Sequence, residues 1–148
     1  MALTDEQIVI LNTHINADPN ATGLTFTKSD LENSNIMNIV LPGSLVEQET
    51  AFVTELQQLV DAAELTALTT GQKAELQVIW IGLGETEFNI RRNQNLKNQL
   101  LNIFPSESQS FTNFKTLLER EGTEAEILYD QSGIVIINQD VAKARELG

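Results

Sequence analysis

The chain has 148 residues, enough for a sizeable core, and its 41% hydrophobic and 20% charged residues argue against wholesale disorder. Its 21 acidic side chains against 9 basic ones give a net charge of −12, which opposes binding to nucleic-acid phosphates or to anionic membranes. The absence of cysteine excludes disulfides, thiolate zinc sites and thiol catalysis. The opening Met-Ala-Leu-Thr-Asp-Glu lacks a basic stretch followed by an apolar one, so no secretion signal is expected, and runs such as Ile134 to Ile137 are too short to span a bilayer.

Helix-start signals punctuate the chain. Thr4 with Gln7 reads as a capping box, followed by Ile8, Leu11 and Ile15 at helical spacing, and Asp18-Pro19-Asn20 ends this first helix. Residues 19–43 are rich in Asn, Thr and Ser and read as an arm or long loop, with room for a short helix near Ser29 to Asn35. Ser44 with Glu47 reads as a second capping box, opening a helix to about Ala63 whose apolar face carries Leu45, Phe52, Leu56, Leu59 and Val60. Thr69 with Gln72 opens a third, lined by Leu76, Ile79 and Trp80 and ended by Gly82 and Gly84.

Asn89 is positioned to cap a fourth helix, lined by Leu96, Leu100, Ile103 and Phe104 and stopped by Pro105. Ser106 with Gln109 begins a fifth that ends at Gly122, and Thr123 with Glu126 begins a short sixth. Ile134 to Ile137 is β-branched and reads either as a short strand or as an extended segment buried across helices, before a last helix from about Gln139 to Glu146. The expected fold is mainly α: a compact bundle of about five to seven short helices with an extended N-terminal arm, divided as 1–43 (helix and arm) and 44–148 (helical core).

Candidate chemistry is thin. His14 is the only histidine and reads as a polar residue on a surface helix, since its helical neighbours offer no triad. Gly82-Leu83-Gly84 lacks the third glycine of a dinucleotide loop, and Glu85 and Glu87 repel phosphate. The acidic pairs have no calcium-loop layout, so no cofactor or metal is expected, and a carboxylate-dependent hydrolase is the least favoured function. Arg91-Arg92, with Lys97 about two turns later, reads as an anchor for a partner's carboxylates or as internal pairing with Glu85, Glu87 or the acids of a neighbouring helix. With Phe26, Leu31 and Ile36 of the arm, Arg91 and Arg92 form the expected partner-contact set.

Three blocks then carry a likeness. Leu3-Thr4-Asp5-Glu6-Gln7 with Ala17-Asp18-Pro19 opens the chain, Asn89 to Phe104 lies in the middle, and Arg120-Glu121-Gly122-Thr123-Glu124-Ala125-Glu126-Ile127-Leu128-Tyr129 precedes Gly133 and Gln139-Asp140-Val141. In these blocks the chain resembles a family of small proteins encoded among the structural genes of tailed bacteriophages. It departs from the family pattern at Glu124, where that pattern has Arg, and across 20–65, which matches poorly.

The resemblance implies a non-enzymatic virion part at the head–tail neck, in the tail or on the capsid. Such a part would be assembled in the host cytoplasm as a homo-oligomer or multi-copy array touching other virion proteins. The alternative is a helical adaptor or assembly chaperone absent from the finished particle. Read physically, the most specific block is structural: Thr123 caps a helix, Glu126 returns the bond, Ala125 permits close packing, and Leu128 and Tyr129 anchor it in the core.

Overall fold

The computed structural model describes residues 2–148 and is mainly helical. It forms two compact units: the chain up to Val46 together with the chain from Glu121, and Glu47–Arg120 between them. This division differs from 1–43 and 44–148, because the N-terminal segment packs with the C-terminal one rather than standing apart as an arm.

In the first unit, helix α1 (Asp5–Ala17) starts on the Thr4–Gln7 capping box and buries Ile8, Leu11, His14 and Ile15. It ends as Asp18 turns left-handed at φ 43°, a conformation that Asp tolerates better than most residues, with Pro19 blocking continuation. Helix α2 (Asp30–Met37) is capped by Ser29, whose Oγ accepts from Glu32 N at 3.1 Å. Helix α8 (Glu124–Tyr129) and helix α9 (Asn138–Glu146) come from the C-terminal segment, and both α1 and α2 pack against α9.

The expected extended arm is therefore folded. Asn33 binds Thr25 through both backbone groups, at 3.2 and 2.9 Å. Arg145 donates to Asp30 at 3.0 Å and to the carbonyls of Lys28 (2.7 Å) and Phe26, with its guanidinium over the Phe26 ring. Leu24 and Met37 enter a core shared with Leu3, Ile8, Leu11, Ile15, Ala125, Ile134, Ile136, Val141 and Ala144.

Residues 134–137 are not a strand. They form the other expected arrangement, an extended segment, with Ile134 and Ile136 buried and Val135 exposed. In place of a neighbouring strand, the side-chain amide of Asn38 accepts from Ile136 N at 2.9 Å and donates to its carbonyl at 2.8 Å. The strands lie elsewhere, so the fold is not a pure bundle. Strand β1 (Val40–Glu47) pairs with β4 (Glu119–Thr123), and β2 (Thr50–Phe52) pairs antiparallel with β3 (Glu87–Asn89), setting Ala51 opposite Phe88.

The helix expected from Ser44 to Ala63 is thus replaced by β1, β2 and two short helices, α3 (Val53–Gln58) and α4 (Ala62–Ala67). Gly43 at φ 81° does not lead into a helix, and the Glu47 carboxylate is occupied by Gln94 Nε2 at 2.6 Å and by Lys97.

In Glu47–Arg120, helix α5 (Thr70–Leu83) has its Thr69–Gln72 capping box and continues through Gly82 to a cap at Gly84, φ 92°. A Cβ at position 82 would stand 2.8 Å from Leu96 Cδ1, so the glycine permits close approach of α5 to helix α6 (Gln94–Ile103). Asn89 does not cap α6 as expected: it ends β3, its side chain accepts from Arg92 N at 2.9 Å, and the 3₁₀ turn Arg91–Asn93 intervenes, leaving Asn93 at the α6 cap position. Helix α7 (Gln109–Leu118) starts not at Ser106 but at Ser108, because the Glu64 carboxylate takes the Gln109 and Ser110 amides at 2.8 and 2.7 Å. The core here gathers Val53, Leu56, Leu76, Ile79, Ile90, Leu100 and Leu118 around the edge-on pair Phe104–Phe114.

Candidate functional site

The Thr123–Tyr129 block folds as its chemistry predicts. Thr123 N donates to Glu126 Oε1 at 3.0 Å, and Glu126 N donates back to Thr123 Oγ1 at 3.1 Å. The second Glu126 oxygen accepts from Gly133 N at 2.6 Å, fixing the turn after α8. Ala125 is fully buried, Leu128 packs on the core, and the Tyr129 hydroxyl donates to the Gln7 carbonyl at 2.7 Å. Burial, and secondarily the negative charge of Asp140, push the Tyr129 hydroxyl well above the usual phenol range, so it stays a donor.

Glu124 lies at the centre of a polar cluster that runs from the core to the surface. It is fully buried and accepts from Thr22 Oγ1 at 2.9 Å and from Asn20 Nδ2 at 3.1 Å. Its Oε1 also stands 3.5 Å from His14 Nε2, an atom with no hydrogen bond of its own. His14 is 9% exposed and so is not the surface residue expected from sequence.

Chain topology brings these groups together. The turn after α1 carries Asn20 and Thr22, held by Asp18, whose carboxylate accepts from Thr22 N and Gly23 N at 3.1 Å each. Burial raises the Asp18 pKa, but the amides of Gly23, Thr22 and Leu24 outweigh it and hold the carboxyl below its ordinary range. Through Glu124 the cluster joins α1, its following turn and α8. No local signal marks it, because the histidine and the glutamate lie 110 positions apart in the chain.

The expected contact residues are divided between the two units. Arg91 and Arg92 are exposed on the 3₁₀ turn before α6, while Lys97 pairs with Glu47. Leu31 is exposed on α2. Phe26 is half-buried beneath Arg145, and Ile36 is half-buried against the first core. Sequence reading missed the outer face of α5, where Val78 and Ile81 are 64% and 78% exposed, although the run Val78-Ile79-Trp80-Ile81 makes the C-terminal half of that helix apolar nearly all round.

Among the described residues no group of three His, Asp or Glu could hold a metal ion, and no helix is long and apolar enough to cross a membrane. The two carboxylates with lowered pKa, Asp18 and Glu64, belong to different units, and each is explained by its own hydrogen bonds. No family model matches the chain, and comparison with curated proteins and with solved structures finds no similar protein.

Proposed function

We propose that this chain is a structural component of a tailed-phage particle, at the head–tail neck, in the tail or on the capsid, acting through protein–protein contacts. The observation that carries the reading is the resemblance of the Thr123–Tyr129 and Gln139–Val141 blocks to small proteins encoded among phage structural genes. The geometry of the first block supports a structural role for it. Its polar groups are spent on a cap, a turn and a buried bond to Gln7, which leaves the block a framework element.

Exposed Ile39, Val40, Leu45, Val78 and Ile81 supply apolar area for contacts, and the −12 charge suits docking on basic protein surfaces. No catalysis, cofactor or direct nucleic-acid contact belongs to the proposal. The second reading, an adaptor or assembly chaperone absent from the finished particle, draws on the same surface and charge. Fractionating a lysate of phage-producing cells separates the two. A virion part sediments with mature particles, whereas an adaptor stays in the soluble pool or with immature intermediates.

A further inference from the structure

We propose that the outer face of α5 is a self-pairing surface, on which a second copy of this chain docks its own α5 antiparallel about a two-fold axis. The buried face of α5 is Leu76, Ile79 and Leu83. Directly opposite, Ala74, Val78 and Ile81 recur at i, i+4 and i+7 and form an exposed apolar ridge along a helix about 21 Å long. In most surface helices this line is polar. Ile81, at 78%, is the most exposed of the large hydrophobic side chains described.

Beside the ridge the surface is hollowed twice. One hollow, of about 480 Å³, lies at the N-terminal half between Leu65 of α4 and Lys73, Ala74 and Gln77. The other, of about 400 Å³, lies at the C-terminal half between Val53 of α3 and Trp80, Ile81 and Glu85. A ridge with a furrow alongside is the geometry that lets one surface patch fit a rotated copy of itself.

Charge selects the second copy and its direction. Lys73 marks one end of the furrow and Glu85 the other, and both are exposed. Antiparallel pairing sets each copy's Lys73 beside the other's Glu85, while a parallel pairing opposes like charges. Antiparallel pairing also sets the two helix dipoles in favourable opposition. Aligning Lys73 with Glu85 places Val78 opposite Trp80 and Ile81 opposite Gln77, so each ridge residue meets the other copy's furrow. This pairing deepens the multi-copy reading above. It is tested on purified chain alone, so either reading can fail without the other.

The experiment is sedimentation velocity on the full chain from micromolar to millimolar concentration, with Trp80, the only tryptophan, as a fluorescence reporter of the same surface. A concentration-dependent dimer is expected, with Trp80 emission shifting to the blue as it forms. Ile81→Asp abolishes the dimer with the helical circular dichroism unchanged. Lys73→Glu and Glu85→Lys each weaken pairing about tenfold, and the two combined restore it, a rescue that damage to the fold could not produce. A chain that is monomeric throughout, a dimer indifferent to Ile81→Asp, or a double variant as weak as the single ones overturns the proposal. Open-ended oligomers overturn it as well, since a two-fold contact closes at two copies.

Discussion

Deleting residues 1–43 removes what the sequence reads as an arm, but in the structure it removes half of a core. Leu3, Ile8, Leu11, Ile15, Leu24 and Met37 are each 5% exposed or less and belong to the cluster that holds Val141 and Ala144 of α9. Burying a side chain of this size stabilises by about 2 kcal/mol, so their loss costs about 12 kcal/mol as an upper figure, comparable to the whole stability of a domain. The deletion also strips Asp140 of its bond from Leu3 N, at 3.2 Å, and Arg145 of its acceptors Asp30, Phe26 and Lys28. Hydrogen exchange on the 44–148 fragment should therefore show the amides of α8 and α9 exchanging as an unfolded chain does, while α5, α6 and α7 stay protected by their own core. Protection of Val141 and Ala144 at the level of the full chain would refute the reasoning and restore the arm.

Smaller perturbations test single contacts. Gly122→Ala places a Cβ 2.8 Å from Val46 Cγ1 and 3.2 Å from Ile127 Cδ1, so thermal unfolding should show a loss of about 1–3 kcal/mol, and an unchanged midpoint would mean that Val46 yields freely. Glu124→Ala leaves the buried His14 without its neighbour and takes the acceptor from half-buried Thr22 and exposed Asn20, so it should cost about 1–3 kcal/mol in chemical denaturation; a loss below about 0.5 kcal/mol would show that the cluster is not cohesive.

Bonds from the Ser110 hydroxyl and amide, and then from the Gln109 amide, lower the Glu64 pKa in the folded state. A depressed folded pKa means that this stabilisation is full above the ordinary carboxylate value of 4.5 and is lost as pH falls through the folded value. Glu64→Gln should therefore flatten the acid side of the stability profile, and a profile parallel to that of the parent chain would contradict the assignment.

The sequence made legible whatever is decided within a few residues. Thr4, Thr69 and Thr123 each form a reciprocal box with the residue three positions on, and the helices they open begin where the spacing says. The same letters at Ser44–Glu47 and Ser106–Gln109 form no box, because distant groups compete for them. Lys97 and Gln94 hold the Glu47 carboxylate, and Glu64 takes the amide of Gln109.

Residues 134–137 show the same limit. Their β-branched run signals extension, but Asn38, from the far end of the chain, decides that they run along a side-chain amide instead of a strand. Of the candidate site, the Thr123 block was legible because it is one helix turn with its cap. The His14–Glu124 contact was not, since nothing local marks either residue as buried. The arm was misread on composition: Asn, Thr and Ser suggest a solvated loop, yet Asn33 and Ser34 turn inward as hydrogen-bonding members of the folded unit.

The proposed role makes the chain a built-in part of a phage particle, present in many copies. The most direct measurement is quantitative mass spectrometry of gradient-purified particles, counting this chain against the major capsid protein. Its presence is expected at a fixed ratio that is unchanged by salt washing, with peptides from both compact units recovered equally. Absence from mature particles, with the chain found only in assembly intermediates or free in the lysate, would contradict the claim and leave the assembly-adaptor reading in its place.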